Sequence, residues 1–259
     1  MVVTFDRTWS FKETNLRIKC DLERAIDAAI HAALQARLEI ESLILRHPEF
    51  RWSLEPIDLE GKQPRIIELM LRAGRLANVG PFAAVAGAIS QVAAEAALAA
   101  GAKNILVDNG GDIAIAGSRD FRVGIFAGTA EGSGRLGFLV RREELPMGIC
   151  TSSGTVGHSL SFGWADAAVA IADDAALADA AATSIGNAVQ GADVRQSVRS
   201  GLDRAREIPG LRGCLIIREK YIGVWGKIPE LFGIGPGSKE LLTTLEKYKI
   251  YGSGVETIV

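Results

Sequence analysis

The sequence predicts an α+β fold, a mostly antiparallel sheet layered against packed helices. Two positive observations carry this: strand signals recur at hairpin spacing between residues 105 and 140, and long helical periodicities flank them without regular strand-helix alternation. One negative observation agrees. No Gly-x-Gly-x-x-Gly lies between a strand and a helix and no Walker-type Gly-Lys-Ser/Thr is present, which disfavours doubly wound dinucleotide and P-loop folds. No repeat or low-complexity linker divides the chain, so residues 1–259 read as a single domain.

In chain order, Trp9 to Lys19 alternates apolar and polar residues and predicts a strand paired with Val2 to Phe5. Asp21 then suits a helix N-cap. Ile26, Ile30, Leu34 and Leu38 recur every fourth residue, predicting a long amphipathic helix that runs toward His47 and stops before Pro48. A second helix is expected over Ile66 to Ala77, and a third from Ala83 to Ala100, with Gly101 as its stop. Strands are expected at Ile105–Val107 and Ile113–Ile115 around a turn, then at Phe121–Phe126 and Leu136–Val140. Ala167 to Ile171 reads as a short apolar strand, after which Asp173 and Asp174 can cap a helix. Asp193 to Arg206 predicts a further helix, and Cys214–Ile217 with Tyr221–Trp225 a closing hairpin around Glu219-Lys220.

Composition narrows the function classes. The 259 residues are 48% apolar, enough for a sizeable core. Charge is balanced, 29 basic against 31 acidic residues, so nothing favours a nucleic-acid or anionic-membrane partner. Cys20, Cys150 and Cys214 are too scattered for a disulfide framework or a zinc spacing, and read as small packed residues. The N-terminal residues turn polar at once, and the apolar stretch Val79 to Ala100 is alanine-rich and broken by Pro81, Ser90, Gln91 and Glu95. A cytoplasmic setting with no membrane partner is the expectation. The alanine-rich helices leave room for a homo-oligomer.

Three segments could carry chemistry. Asp179 and Thr183 stand four apart in an alanine-rich helix, so their oxygens share a face; water or a hard cation such as Mg2+ could meet them there. Asp108-Asn109-Gly110-Gly111-Asp112 joins two strands, and its plain reading is a hairpin turn. Its glycines would also let backbone approach a ligand. Thr151-Ser152-Ser153-Gly154, continuing through His158 to Gly163, is rich in hydroxyls and glycine and suits phosphate oxygens or a surface loop equally. His158 stands out from His31 and His47 only by lying in that loop. A Ser-His-Asp triad from Ser152, Ser153, His158 and Asp166 is discounted, because no Gly-x-Ser-x-Gly elbow is present.

Several of these pieces recur in one order elsewhere. Gly87-Ala-Ile-Ser-Gln-Val-Ala-Ala-Glu95, Val107-Asp-Asn-Gly-Gly-Asp-Ile113, Thr151-Ser-Ser-Gly154 and Asp179-Ala-Ala-Ala-Thr183 resemble successive motifs of the ApbE-like proteins, the FAD:protein FMN transferases. Gly80-Pro-Phe-Ala-Ala-Val-Ala-Gly87 and Gly157-His-Ser-Leu-Ser-Phe-Gly163 look like an uncharacterised branch of that superfamily. The resemblance implies an ApbE-like (T-fold-like) architecture and a flavin nucleotide, FAD, bound near Mg2+, with FMN passing to a threonine of an acceptor protein. It also implies side-chain metal ligands at Asp179 and Thr183 and a main-chain ligand near Gly87 or Ala88. Cofactor contacts would come from Asn109, Gly110, Gly111, Asp112, Thr151, Ser152, Ser153, Gly154 and His158, with Glu95 in the place of a family aspartate. No catalytic residue is assigned. Two departures stand out: Ser90-Gln91 replaces a lysine followed by glycine, and no Asp-Pro follows His158. These leave a second expectation open, a flavin- or pterin-type cofactor-binding protein that does not transfer.

Overall fold

The computed structural model describes residues 4–125, 136–153 and 163–235, together with 238, 243 and the backbone of 257–258. It opens with strands β1 (Phe5–Phe11) and β2 (Thr14–Cys20) and helices α1 (Glu23–Arg46), α2 (Glu49–Trp52), α3 (Arg65–Ala77) and α4 (Val85–Ala99). Strands β3 (Ile105–Asn109), β4 (Asp112–Ala116), β5 (Phe121–Ile125), β6 (Leu136–Val140), β7 (Met147–Ser152) and β8 (Ala167–Ala172) follow. Helices α5 (Ala175–Ala188) and α6 (Val194–Arg206) then precede β9 (Leu211–Arg218), β10 (Tyr221–Gly226), β11 (Glu230–Gly233) and β12 (Thr257–Ile258). These elements form two compact units: Met1–Ser118 with Leu145–Cys150 and Ala172–Ala180, and Arg119–Glu144 with Thr151–Ile171 and Ala181–Val259.

In the first unit the strand order is β1-β2-β3-β4-β7, with antiparallel pairing at every step. The register pairs Phe5 with Cys20, Cys20 with Ile105, and Ile105 with Ala116. Alternation sets the faces: Leu16, Ile18 and Cys20 are buried while Asn15 and Arg17 are exposed. Helices α1 and α4 pack together, α4 lies on β3 and β4, and α3 packs on both helices. The core is built from Ile18, Ile26, Ile66, Met70, Ile89 and Ile105. Residues Pro81–Ala99 are long and apolar enough to cross a membrane by composition. Within this unit, Gly87, Ala88, Ile89, Ala93 and Ala97 of α4 are buried.

Three expectations are corrected here. The alternating run Trp9 to Lys19 is two strands rather than one, because Lys12 takes a left-handed φ of 52° and turns the chain. Asp21 does not cap α1, whose N-cap is Leu22 without a side-chain bond. The Asp21 carboxylate instead accepts the backbone amides of Lys103 and Asn104 and the Asn104 side-chain amide. Those bonds hold it below the ordinary carboxylate range against the opposing effect of burial. The buried face of α1 is also displaced. It runs through Ala25, Ile26, Ala29, Ala33, Ala36, Ile40 and Leu43, while Leu38 is 48% exposed. A spacing of four overshoots a turn of about 3.6 residues, so the fourth-residue series drifts off the core face.

The second unit holds an antiparallel three-stranded sheet, β11-β6-β5, with Glu230 opposite Leu139 and Phe121 opposite Val140. Its other strands run β8-β9-β10-β12, and α6 packs on β9 and β10 through Val198 and Leu202. Asp193 caps α6, accepting the Gln196 amide at 3.0 Å. The closing hairpin forms as expected, Tyr221 opposite Arg218, with Glu219 at φ 54° in its turn. The short helix α2 and strand β11 carry no periodicity long enough to be read from sequence.

Candidate metal and nucleotide site

Near the entry to α4 the first unit buries the polar side chains of Ser90, Asn109 and Asp179. The first amides of a helix have no intrahelical acceptor and attract negative charge. In α4 the Gly87 amide donates to Asp179 Oδ2 at 2.8 Å. Only glycine allows this approach: a Cβ at Gly87 would lie 2.2 Å from the Ala175 carbonyl oxygen and 2.7 Å from Asp179 Cβ. Asp179, on α5, is 9% exposed. Burial pushes its carboxyl up to about 7, although the Gly87 and Ala86 amides pull the other way.

The β3–β4 turn is tied to the same helix entry. Gly110 and Gly111 take φ of 68° and 105°, the paired left-handed conformation of a tight hairpin turn. Asn109 accepts the Asn15 amide through Oδ1 at 3.2 Å and donates through Nδ2 to the Ala86 carbonyl at 3.3 Å. Ser90, fully buried, donates its hydroxyl to the Asp112 carbonyl at 2.7 Å. Cys150, at the end of the first unit's share of β7, donates to the Ala175 carbonyl. Burial, then the charges of Asp112 and Asp179, push its thiol well above the usual range, so it stays protonated.

The start of α5 is braced from two sides. Asp174 accepts the Leu177 amide at 2.8 Å as a cap and pairs with Arg72 at 2.6 Å. Gln91 Oε1 accepts the Ala176 amide at 3.3 Å, and Gln91 Nε2 donates to Glu95, which pairs with Arg65 at 2.9 Å. The expected capping by Asp174 is therefore present. The contributions of Gln91, Ser90 and Cys150 carry no local sequence signal.

Of the predicted site residues, Asn109 and Asp112 are bonded to α4, which carries Ala88, and Asp179 is bonded to its Gly87 amide, while Gly110 and Gly111 form the tip of the β3–β4 turn. Glu95 lies two turns farther along α4 in its exposed pair with Arg65. In the second unit Thr151 and Ser153 are half-buried and Ser152 is buried, its Oγ without a hydrogen-bond partner among the described residues. Thr183, half-buried, follows Asp179 by one turn of α5, so the two oxygens share a face of that helix. Gly154 and His158 lie outside the described residues.

The donor chemistry fits a hard cation. Asp179 has no ion-pair partner among the described residues, and a buried carboxylate without a cation is costly. One carboxylate and neutral oxygens suit Mg2+, which keeps several waters. Among the described residues no group of three His, Cys, Asp or Glu side chains is placed to hold a metal.

A family model described as AbpE bacteria matches residues 5–207. The UPF0280 protein of Methanocaldococcus jannaschii is 42% identical over 229 residues, 88% of this chain and 93% of that protein. The UPF0280 protein of Methanosarcina acetivorans is 41% identical, covering 86% of this chain and 87% of its own. Among solved structures, a mutant of the flavin transferase ApbE from Vibrio cholerae superposes with a TM-score of 0.54 at 12% identity, over 92% of this chain and 99% of that one. With the mixed helices and antiparallel sheets described above, these likenesses establish that the chain belongs to the AbpE bacteria family, a divergent branch of the ApbE-like superfamily.

Proposed function

We propose that the chain binds a flavin nucleotide, FAD, with a divalent cation held by Asp179, Thr183 and a main-chain oxygen at Ala88, and transfers FMN to a threonine of an acceptor protein. One observation carries the reading: Asp179 is buried, gripped by the Gly87 amide and raised to about 7, with no cationic side chain paired to it among the described residues. Mg2+ would supply Lewis-acid polarisation of the pyrophosphate. In the transfer the threonine oxygen bonds to the FMN phosphorus, the pyrophosphate P–O bond breaks, and AMP and a proton leave. Gly110, Gly111 and Asp112 would flank the nucleotide, and Thr151 to Gly154 with His158 would offer hydroxyl and amide donors to its phosphates.

A specific observation favours a second reading, a protein that holds a flavin- or pterin-type cofactor without transferring it. Ser90 and Gln91 stand where the transferases carry a lysine and a glycine, and both are committed to scaffold bonds, to the Asp112 carbonyl and the Ala176 amide. Neither can place a cation beside a phosphate. Incubation with FAD and Mg2+ followed by mass spectrometry separates the two. AMP released with FMN bonded to a threonine of an added acceptor protein supports transfer, and AMP released with free FMN supports pyrophosphate cleavage alone. FAD retained intact supports binding, and FAD that is neither held nor cleaved removes both flavin readings.

A further inference from the structure

The second unit contains a buried cation that nothing above uses. Arg218, at the end of β9, is 6% exposed. Its Nη1 donates to the Gly191 carbonyl at 2.8 Å and to Ser197 Oγ. Its guanidinium carbon sits 5.1 Å from the ring centroid of Trp164. A buried guanidinium is normally met by a carboxylate. Here the acceptors are a neutral carbonyl, a neutral hydroxyl and a ring face, and no acidic side chain pairs with it among the described residues. Asp166, two residues from Trp164, directs Oδ2 to the Glu219 amide at 2.6 Å.

The arrangement fixes one edge of the guanidinium and leaves the other. With Nη1 engaged, Nε and Nη2 have no protein acceptor among the described residues, and neither is sealed from solvent. Those two N–H groups form the parallel fork that matches a carboxylate or phosphate bidentately. Trp164 is 54% exposed, a large apolar ring held in the open. Its backbone is anchored, the Trp164 amide donating to the Val189 carbonyl at 2.8 Å and the Asp166 amide to the Ile217 carbonyl at 2.9 Å. An anchored ring beside a fixed fork is pre-organised, which lowers the ordering cost of binding.

We propose that Arg218 and Trp164 form an oxyanion subsite for a planar-ring ligand, the fork taking its carboxylate or phosphate and the Trp164 ring stacking on its ring. The subsite requires neither the metal nor the flavin reading. The test titrates the full chain by calorimetry, without flavin or Mg2+, using phenyl phosphate, benzoate and inorganic phosphate.

At least one ring-bearing anion should bind saturably and about tenfold or more tighter than inorganic phosphate. The tighter of phenyl phosphate and benzoate names the anion class. Trp164→Ala, at an exposed position, should erase the ring's advantage, and Arg218→Lys should weaken the preferred anion about tenfold or more by removing the fork. Absence of saturable binding, or a Trp164→Ala protein that binds the ring-bearing anion as tightly as the parent, overturns the proposal. If Arg218→Lys does not fold, the Trp164→Ala comparison decides alone.

Discussion

At Asp179, burial opposes two helix-entry amides and prevails, leaving the carboxyl near 7. The sign of its effect on stability follows. A folded-state value above the ordinary 3.8 means the folded protein holds the proton more tightly, so the contribution of Asp179 to metal-free stability is fully present below about pH 4. It falls as pH rises through about 7. Asp179→Asn, which keeps an acceptor for the Gly87 amide, should flatten that dependence and raise the metal-free Tm by several degrees at pH 8. The same substitution should abolish any Mg2+-induced shift in Tm. In the parent, Mg2+ affinity should climb up to about tenfold per pH unit between pH 5 and 7 and then level off, because the cation must displace one proton. Calorimetric titration at three pH values checks this, and an unchanged affinity across the range would count against Asp179 as a ligand. Gly87→Ala tests the close approach itself. A Cβ 2.2 Å from the Ala175 oxygen forces α4 and the start of α5 apart, at a cost of about 1–3 kcal/mol in urea unfolding.

At the scale of elements, α4 and the beginning of α5 act as a pair: one supplies free amides, the other a carboxylate. Asp174 holds α5 at its first turn. Asp174→Ala should cost about 1 kcal/mol by loss of the cap. It should also weaken Mg2+ binding, since Asp179 lies one turn beyond the bonds that fix the helix start. Elements set by local chemistry were readable in advance. The Asn109-Gly110-Gly111-Asp112 turn, the stop of α1 before Pro48, the Asp174 cap of α5 and the β9–β10 hairpin all depend on residues within a few positions of each other. A remote partner can override such local chemistry. Asp21 has the chemistry of an N-cap, but amides some 80 residues later compete for it and win.

For the whole molecule, kinship with the UPF0280 proteins at about 40% identity and structural likeness to a flavin transferase at 12% identity carry different information. The first defines the branch and the second shows the fold, while chemistry depends on the residues placed at the α4 entry. A ligand that binds only the folded chain raises its apparent stability by mass action. FAD with Mg2+ should therefore raise Tm, by several degrees at concentrations well above Kd, and EDTA should reverse the metal-dependent part. A melting curve indifferent to both would leave the flavin reading without support.

The antiparallel α+β class, most helix and strand spans, the tight glycine turn and the order of motifs that marks the superfamily are legible in the residues alone. These follow from periodicity, capping and turn chemistry, which act over a few residues. Packing buries Asp179 against an amide 92 residues earlier and consumes Ser90 and Gln91 as scaffold. It alone also left Arg218 without a carboxylate among the described residues. Burial and hydrogen-bond satisfaction depend on which distant segments meet, and that is set by packing rather than by any local pattern.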